Sequence, residues 1–129
     1  MENSGVLLVA KAGPFGDALS NLISPVLAIP QPLRAETGLL ALKLIRQASP
    51  QLVIIASSIA DSETIELVRQ IKQTTPSVKC LVLTETVYQA DQARAAGADE
   101  SVFSHLSAAQ LITTIQRHLR ATSAYHPTE

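Results

Sequence analysis

Short apolar runs alternate along the chain with longer segments in which apolar residues recur every three or four positions. The runs are GVLLVA from residue 5, VLAI from residue 26, LVIIA from residue 52, KCLVLT from residue 79 and ESVF from residue 100. Five strands with helices between them predict an α/β fold built on a parallel, doubly wound sheet. LVIIA and CLVL are apolar at consecutive positions, the pattern of strands covered by helices on both faces, so these two are expected at the centre.

Five helices fit the remaining segments. Pro14 suits a first turn, and Phe15, Leu19, Leu22 and Ile23 follow at helical spacing until Pro25 is expected to stop the first helix. Leu40, Ala41, Leu44, Ile45 and Ala48 make the stripe of a second helix over residues 37–48, ended by Pro50. Asp61 or Ser62 can cap a third, which buries Ile65, Val68 and Ile71 and ends before Pro76. The fourth, about residues 87–96, has a slim face of Ala90, Ala93 and Ala96 and a left-handed Gly97 to close it. Ser107 and Gln110 have capping-box spacing for the fifth, whose inner stripe is Leu111, Ile112, Ile115 and Leu119.

A chain of 129 residues fits one such domain, expected over residues 1–121, with a stripe-free tail at 122–129 that is expected to fray. Hydrophobic residues make up 47% and charged residues 16%, a globular balance, and there is no long apolar run to enter a membrane. Ten basic residues against 11 acidic give no positive field to draw the chain to nucleic acid, so direct binding of DNA or RNA is not expected. The opening MENSGVLLVAK has an acid where an export signal needs cations, which points to the cytoplasm. The lone Cys80, inside the run CLVL, reads as an inert core thiol.

Residues 50–72, PQLVIIASSIADSETIELVRQIK, resemble the strand, loop and helix around the phosphorylation site of a response-regulator receiver domain, and the resemblance extends over nearly the whole chain. It implies a flavodoxin-like (CheY-like) sheet in the order 2-1-3-4-5. In open parallel sheets, ligands and reacting groups gather at the carboxyl ends of the strands. There a receiver domain places an acidic pair after strand 1, a phosphoacceptor aspartate after strand 3, a hydroxyl after strand 4 and a lysine after strand 5. The matching positions here are Ala10 with Lys11, then Ala56, Thr84 and Ser104, and the usual switch aromatic is Ser101.

Mg²⁺ takes hard oxygen ligands, usually including a carboxylate, and a methyl group cannot attack a phosphoryl donor. Only the threonine survives. The resemblance therefore implies a degenerate pseudo-receiver in two-component-type signalling, with no catalysis and no cofactor, that acts through protein contacts. A transcriptional response regulator is one parent such a domain could have.

Other readings stay open at this point. Ser57 and Ser58 could be phosphorylated by a serine kinase or could simply turn the chain into the third helix. Lys11 could pair with Asp17 or Glu85 in place of the lost metal, or be an ordinary solvated lysine. The KAGPFG turn, with Lys11, Gly13 and Gly16, leads into a helix N-terminus that favours anions, and makes a small-anion or cofactor sensor the alternative function. It lacks a dinucleotide or P-loop fingerprint. His105, His118 and His126 lack metal-ligand spacing. Tyr88, Gln89 and Gln92 on the fourth helix, Phe103 on the fifth strand, and Thr114, Arg117 and His118 on the fifth helix are expected to face outward, on the side where receiver-like domains meet partners or dimerise.

Overall fold

Strands β1 (Val6–Val9), β3 (Leu52–Ile55) and β4 (Lys79–Thr84) coincide with the three richest apolar runs, and every residue of β1 and β3 is buried. A computed structural model describes residues 5–11, 13–27, 33–56, 61–103 and 108–122. In it β2 (Leu33–Ala35) and β5 (Glu100–Phe103) complete a five-stranded sheet of order β2-β1-β3-β4-β5 in which every neighbouring pair is parallel. The helices are α1 (Pro14–Leu27), α2 (Gly38–Ala48), α3 (Asp61–Thr74), α4 (Val87–Ala96) and α5 (Ala108–Thr122). None of the described helices is long and apolar enough to cross a membrane.

Because side chains alternate along a strand, the sheet feeds two cores. Leu7, Val9, Val53, Ile55, Cys80 and Val82 pack with Ala41 and Ile45 of α2, Leu67, Val68 and Ile71 of α3 and Ala93 of α4. Val6, Leu8, Leu52, Ile54, Leu81 and Leu83 pack on the other face with Leu19 of α1 and Ile115 of α5. Each fully buried leucine or isoleucine contributes roughly 1.5–3 kcal/mol through removal from water, which makes the central strands the mechanical base of the strand ends.

Three helix boundaries follow from capping chemistry. Thr37 Oγ1 accepts the N–H of Leu40 at 3.2 Å, and Thr86 Oγ1 accepts that of Gln89 at 3.1 Å. Gly97, at φ 116°, closes α4 as expected, in a conformation that costs a residue with a Cβ.

The second strand is not VLAI. Val26 and Leu27 belong to α1, which runs through Pro25 because that residue sits in its last turn and removes only one N–H from the ladder; Ala28 and Ile29 lie outside the described residues. The strand is LRA, three residues long and paired with β1 alone, Leu7 with Leu33 and Val9 with Ala35. An edge strand this short needs little apolar sequence. Two smaller corrections accompany it. Leu40 is 39% exposed, and Leu42 packs on the core instead, because the buried side of α2 is set by Gly38, Ala41 and Ile45. Asp61 is already the first residue of α3, so neither it nor Ser62 is the cap. Ser107 and the 123–129 part of the tail lie outside the described residues, while Thr122 still belongs to α5.

Candidate functional site at the carboxyl ends of the strands

The chain leaves β1 at Ala10 and β3 at Ala56, and both residues are completely buried. Backbone bonds fix them: Ala10 N donates to Ala35 O and Ala56 N to Val9 O, each at 2.9 Å. The two positions that the sequence resemblance matches to receiver carboxylates therefore present methyl groups, packed in the core with Leu8, Ile54 and Leu83. Lys11 follows, exposed. At the end of β4, Thr84 is 3% exposed, and its Oγ1 has no hydrogen-bond partner among the described residues. It lines a crevice of about 20 Å³ with Thr64, Ile65, Gln89, Gln92 and Ala93, space for about one water. Ser101 lies mid-strand in β5 opposite Val82 and is half-buried. Ser104, Ser57, Ser58, His105 and His126 lie outside the described residues.

One functional group here was not foreseen from the sequence. Arg34, in β2, extends over the first turn of α1, where Nη1 sits 3.1 Å from Asp17 Oδ1 and Nη2 donates to the backbone carbonyl of Lys11 at 3.3 Å. Its Nε is buried and has no hydrogen-bond partner among the described residues. Gly16 makes room for this arrangement. A Cβ at residue 16 would run into Arg34 Nη2 and lie 3.0 Å from Arg34 Cζ and 3.2 Å from Ala10 Cβ. The cation that holds Asp17 is thus Arg34 rather than Lys11. Gly13, at φ 146°, starts the turn, and its carbonyl accepts Asp17 N at 3.2 Å. The structure therefore brings Lys11, Gly13 and Gly16 together at the head of α1 and adds a guanidinium to them. No part of the apolar pattern marks Arg34, because the pattern places the second strand too early.

The fit to a divalent cation is poor on the donor set alone. Ala10 and Ala56 offer no side-chain oxygen, Thr84 offers one neutral hydroxyl, and Arg34 contributes a positive charge at the β1 end. Among the described residues no three His, Cys, Asp or Glu side chains come together to hold a metal ion.

On the α4, β5, α5 side, Tyr88 is exposed and its hydroxyl accepts from Gln92 Nε2 at 2.9 Å. Gln89 is half-buried, its Oε1 accepting the N–H of Glu85 at 2.7 Å. Phe103 is half-buried. Glu100 of β5 gathers two residues of α5, with Oε1 2.7 Å from His118 Nε2 and 3.4 Å from Arg117 Nη1. Thr114 does not face outward. It is buried and its hydroxyl donates to Gln110 O at 3.0 Å, since position 114 falls beside Ile115 on the inner side of α5.

No protein-family model and no curated protein matches this sequence. Solved structures do resemble it. The signal receiver domain of an HD domain-containing protein from Pseudomonas fluorescens Pf-5 has a TM-score of 0.80 at 22% identity, over 96% of this chain and 92% of that one. The receiver domain of a signal transduction histidine kinase from Syntrophus aciditrophicus has a TM-score of 0.80 at 16% identity, over 96% of each. NtrX from Brucella abortus, solved in complex with ATP, has a TM-score of 0.78 at 20% identity over 93% of this chain, which spans only 27% of that chain's length. The strand order, the five covering helices and these superpositions together give the chain the fold of response-regulator receiver domains.

Proposed function

We propose that this chain is a pseudo-receiver: a regulatory module of two-component-type signalling that acts in the cytoplasm through protein contacts, and not an enzyme. The observation that carries the reading is the pair of fully buried alanines, Ala10 and Ala56, at the two strand ends where the metal and the phosphoryl group would have to be held. Each removes a different part of the reaction, and the Arg34–Asp17 pair adds a fixed cation and anion beside them. Signalling then depends on a surface. The α4, β5, α5 side offers Tyr88, Gln92, Phe103 and Arg117 for a protein partner or a dimer. The LuxR-family DNA-binding response regulators from Staphylococcus aureus and Silicibacter pomeroyi, which share the fold, suggest a transcriptional setting in which another part of the system contacts DNA.

Magnesium linkage tests the reading. A receiver that binds Mg²⁺ gains on the order of 1.4 kcal/mol at a tenfold excess over its dissociation constant. For this chain the expected result is no Mg²⁺-specific rise in melting temperature and no phosphoryl adduct by intact mass after incubation with acetyl phosphate. A shift or an adduct that EDTA abolishes would sink it.

The second reading, a small-anion sensor at the KAGPFG turn, draws on Arg34, whose guanidinium lies beside Lys11 and Gly16 at the head of α1. It requires inorganic phosphate or sulfate to raise the melting temperature of the wild type but not of Arg34→Met. Equal response of both proteins would dismiss it.

A further inference from the structure

Among the described residues, two buried side-chain polar atoms have no hydrogen-bond partner, Arg34 Nε and Thr84 Oγ1. Thr84 is the deeper residue, buried where Arg34 is half-buried. Side chains alternate along β4, so Thr84 points to the same side as Cys80 and Val82, toward α3 and α4. There its hydroxyl meets the crevice between Thr64 and Ile65 of α3 and Gln89, Gln92 and Ala93 of α4. An unsatisfied buried hydroxyl costs free energy, which a partner entering the crevice recovers. Ile65 and Gln92 also line a wider surface groove of about 510 Å³, with Ser62, Glu66, Arg69 and Tyr88. The two form one recess between α3 and α4, broad above and narrow at its foot. At the rim Gln92 Nε2 donates to Tyr88 Oη at 2.9 Å, and Glu66 and Arg69 neutralise each other at 3.0 Å.

We propose that this recess binds a small, uncharged aromatic molecule of the phenol class, with its hydroxyl on Thr84 Oγ1 and its ring between Ile65 and Tyr88. Three features select that chemistry. The foot of the recess, about 20 Å³, takes one water-sized group, which admits a hydroxyl and excludes a carboxylate or a phosphate. The polar side chains around it, Thr64, Thr84, Gln89 and Gln92, are all neutral, so a charge carried in would lose its hydration and find no counter-ion. Above it, Ile65 and the exposed ring of Tyr88 offer apolar and aromatic surface to a flat body. A threonine hydroxyl both donates and accepts, so it pairs with a ligand hydroxyl in either sense. Apolar walls with a few convergent polar groups are the usual form of a small-molecule site. The inference goes beyond the pseudo-receiver reading: it gives the strand-end threonine a ligand that needs neither metal nor phosphoryl group, at a place separate from the KAGPFG turn.

The test titrates phenol into the whole chain and follows amide chemical shifts, with toluene and benzoate as controls and Thr84→Val and Thr84→Ser as variants. Valine keeps the shape of threonine and removes the unsatisfied hydroxyl, so the variant should fold as well as the wild type, which urea midpoints check. Phenol should bind the wild type saturably, with the largest shifts at Ile65, Thr84 and Gln92. Thr84→Val should weaken that binding about tenfold or more, and Thr84→Ser should keep most of it. Toluene should bind wild type and Thr84→Val alike, and less tightly than phenol binds the wild type; benzoate should not bind. Phenol shifts that do not saturate or that centre elsewhere, equal phenol binding by the wild type and Thr84→Val, or benzoate binding as tight as that of phenol would overturn the site. Should the valine variant unfold, the wild type decides alone, and a wild type that holds toluene as tightly as phenol would overturn it. None of these results bears on the magnesium and phosphoryl tests of the pseudo-receiver.

Discussion

The guanidinium of Arg34 reaches from the edge strand β2 across the first turn of α1 to the carboxylate of Asp17, 3.1 Å away. This cross-brace lies at the head of α1, over Gly16 and next to the buried Ala10. On the proposed pseudo-receiver reading, it places a protein cation where a phosphorylatable domain would hold a metal. The pair is partly solvated, so the bridge is worth about 0–1 kcal/mol. The buried Nε, unpartnered among the described residues, works against it, by about 1–3 kcal/mol for an unsatisfied group.

Arg34→Met, which keeps the apolar stem and removes both charge and orphan, should therefore leave stability unchanged or raise it by about 1 kcal/mol. Arg34→Ala should lower stability, because it also strips the packing over Gly16 and Ala10. Urea unfolding midpoints of the two variants settle the comparison. A methionine variant as unstable as the alanine one would mean that the guanidinium, not the stem, holds the site together.

Cys80 sits on β4 with no exposure, and burial pushes its thiol up to about 12, against a small opposing pull from Lys72. The thiolate is the reactive form, so almost none is present at neutral pH. A thiol reagent such as 5,5′-dithiobis(2-nitrobenzoate) should label the native chain only at the rate at which it unfolds, and label it at once in urea. Fast native labelling would show that β4 opens locally, or that Cys80 has a chemistry the core reading denies it.

How far the sequence carries can be judged at particular residues. Ile54, Leu81 and their neighbours announce central strands because burial on both faces demands an unbroken apolar run, while the sheet order was implied by the receiver resemblance and not by the pattern. Gly97 closes its helix by local chemistry that needs no tertiary context, whereas the caps Thr37 and Thr86, equally local, went unread in the sequence. The edge is different. Leu33–Ala35 has one neighbour and three residues, so nothing obliges it to look like a strand, and VLAI, which does look like one, supplies two residues to α1 instead. Arg34 was hidden by that same displacement. The alanines at positions 10 and 56 were legible as strand-end residues, but the group that stands near Ala10 was not, because it arrives from a strand the pattern does not reveal. Thr114 shows a second limit: helical spacing ranks a polar residue as outward, yet its hydroxyl returns to Gln110 O and lets it be buried.

Asp99 carries the last expectation. Its carboxylate lies just before β5, where Oδ2 accepts the N–H of Cys80 at 2.8 Å and the ammonium of Lys72 at 2.9 Å. Lys72 is itself tied down, donating also to Pro76 O and Val78 O, so the pair joins the end of α3 to the start of β4 and β5. Burial alone would raise the pKa of Asp99, but the Cys80 N–H and the Lys72 ammonium, helped by Lys79, outweigh it and hold the group below the ordinary carboxylate value. A group whose pKa is lower folded than unfolded contributes stability above its unfolded pKa, about 4, and loses it as pH falls toward the folded value. Asp99→Asn should therefore cost roughly 1–3 kcal/mol at pH 7, since it weakens a charge-assisted bond at a partly buried site. The gap to the wild type should narrow as urea unfolding is repeated from pH 5 down to pH 3. A gap that stays constant over that range would place the cost in packing and not in the ion pair, and Lys72 would then have to be holding α3 through its two carbonyl bonds alone.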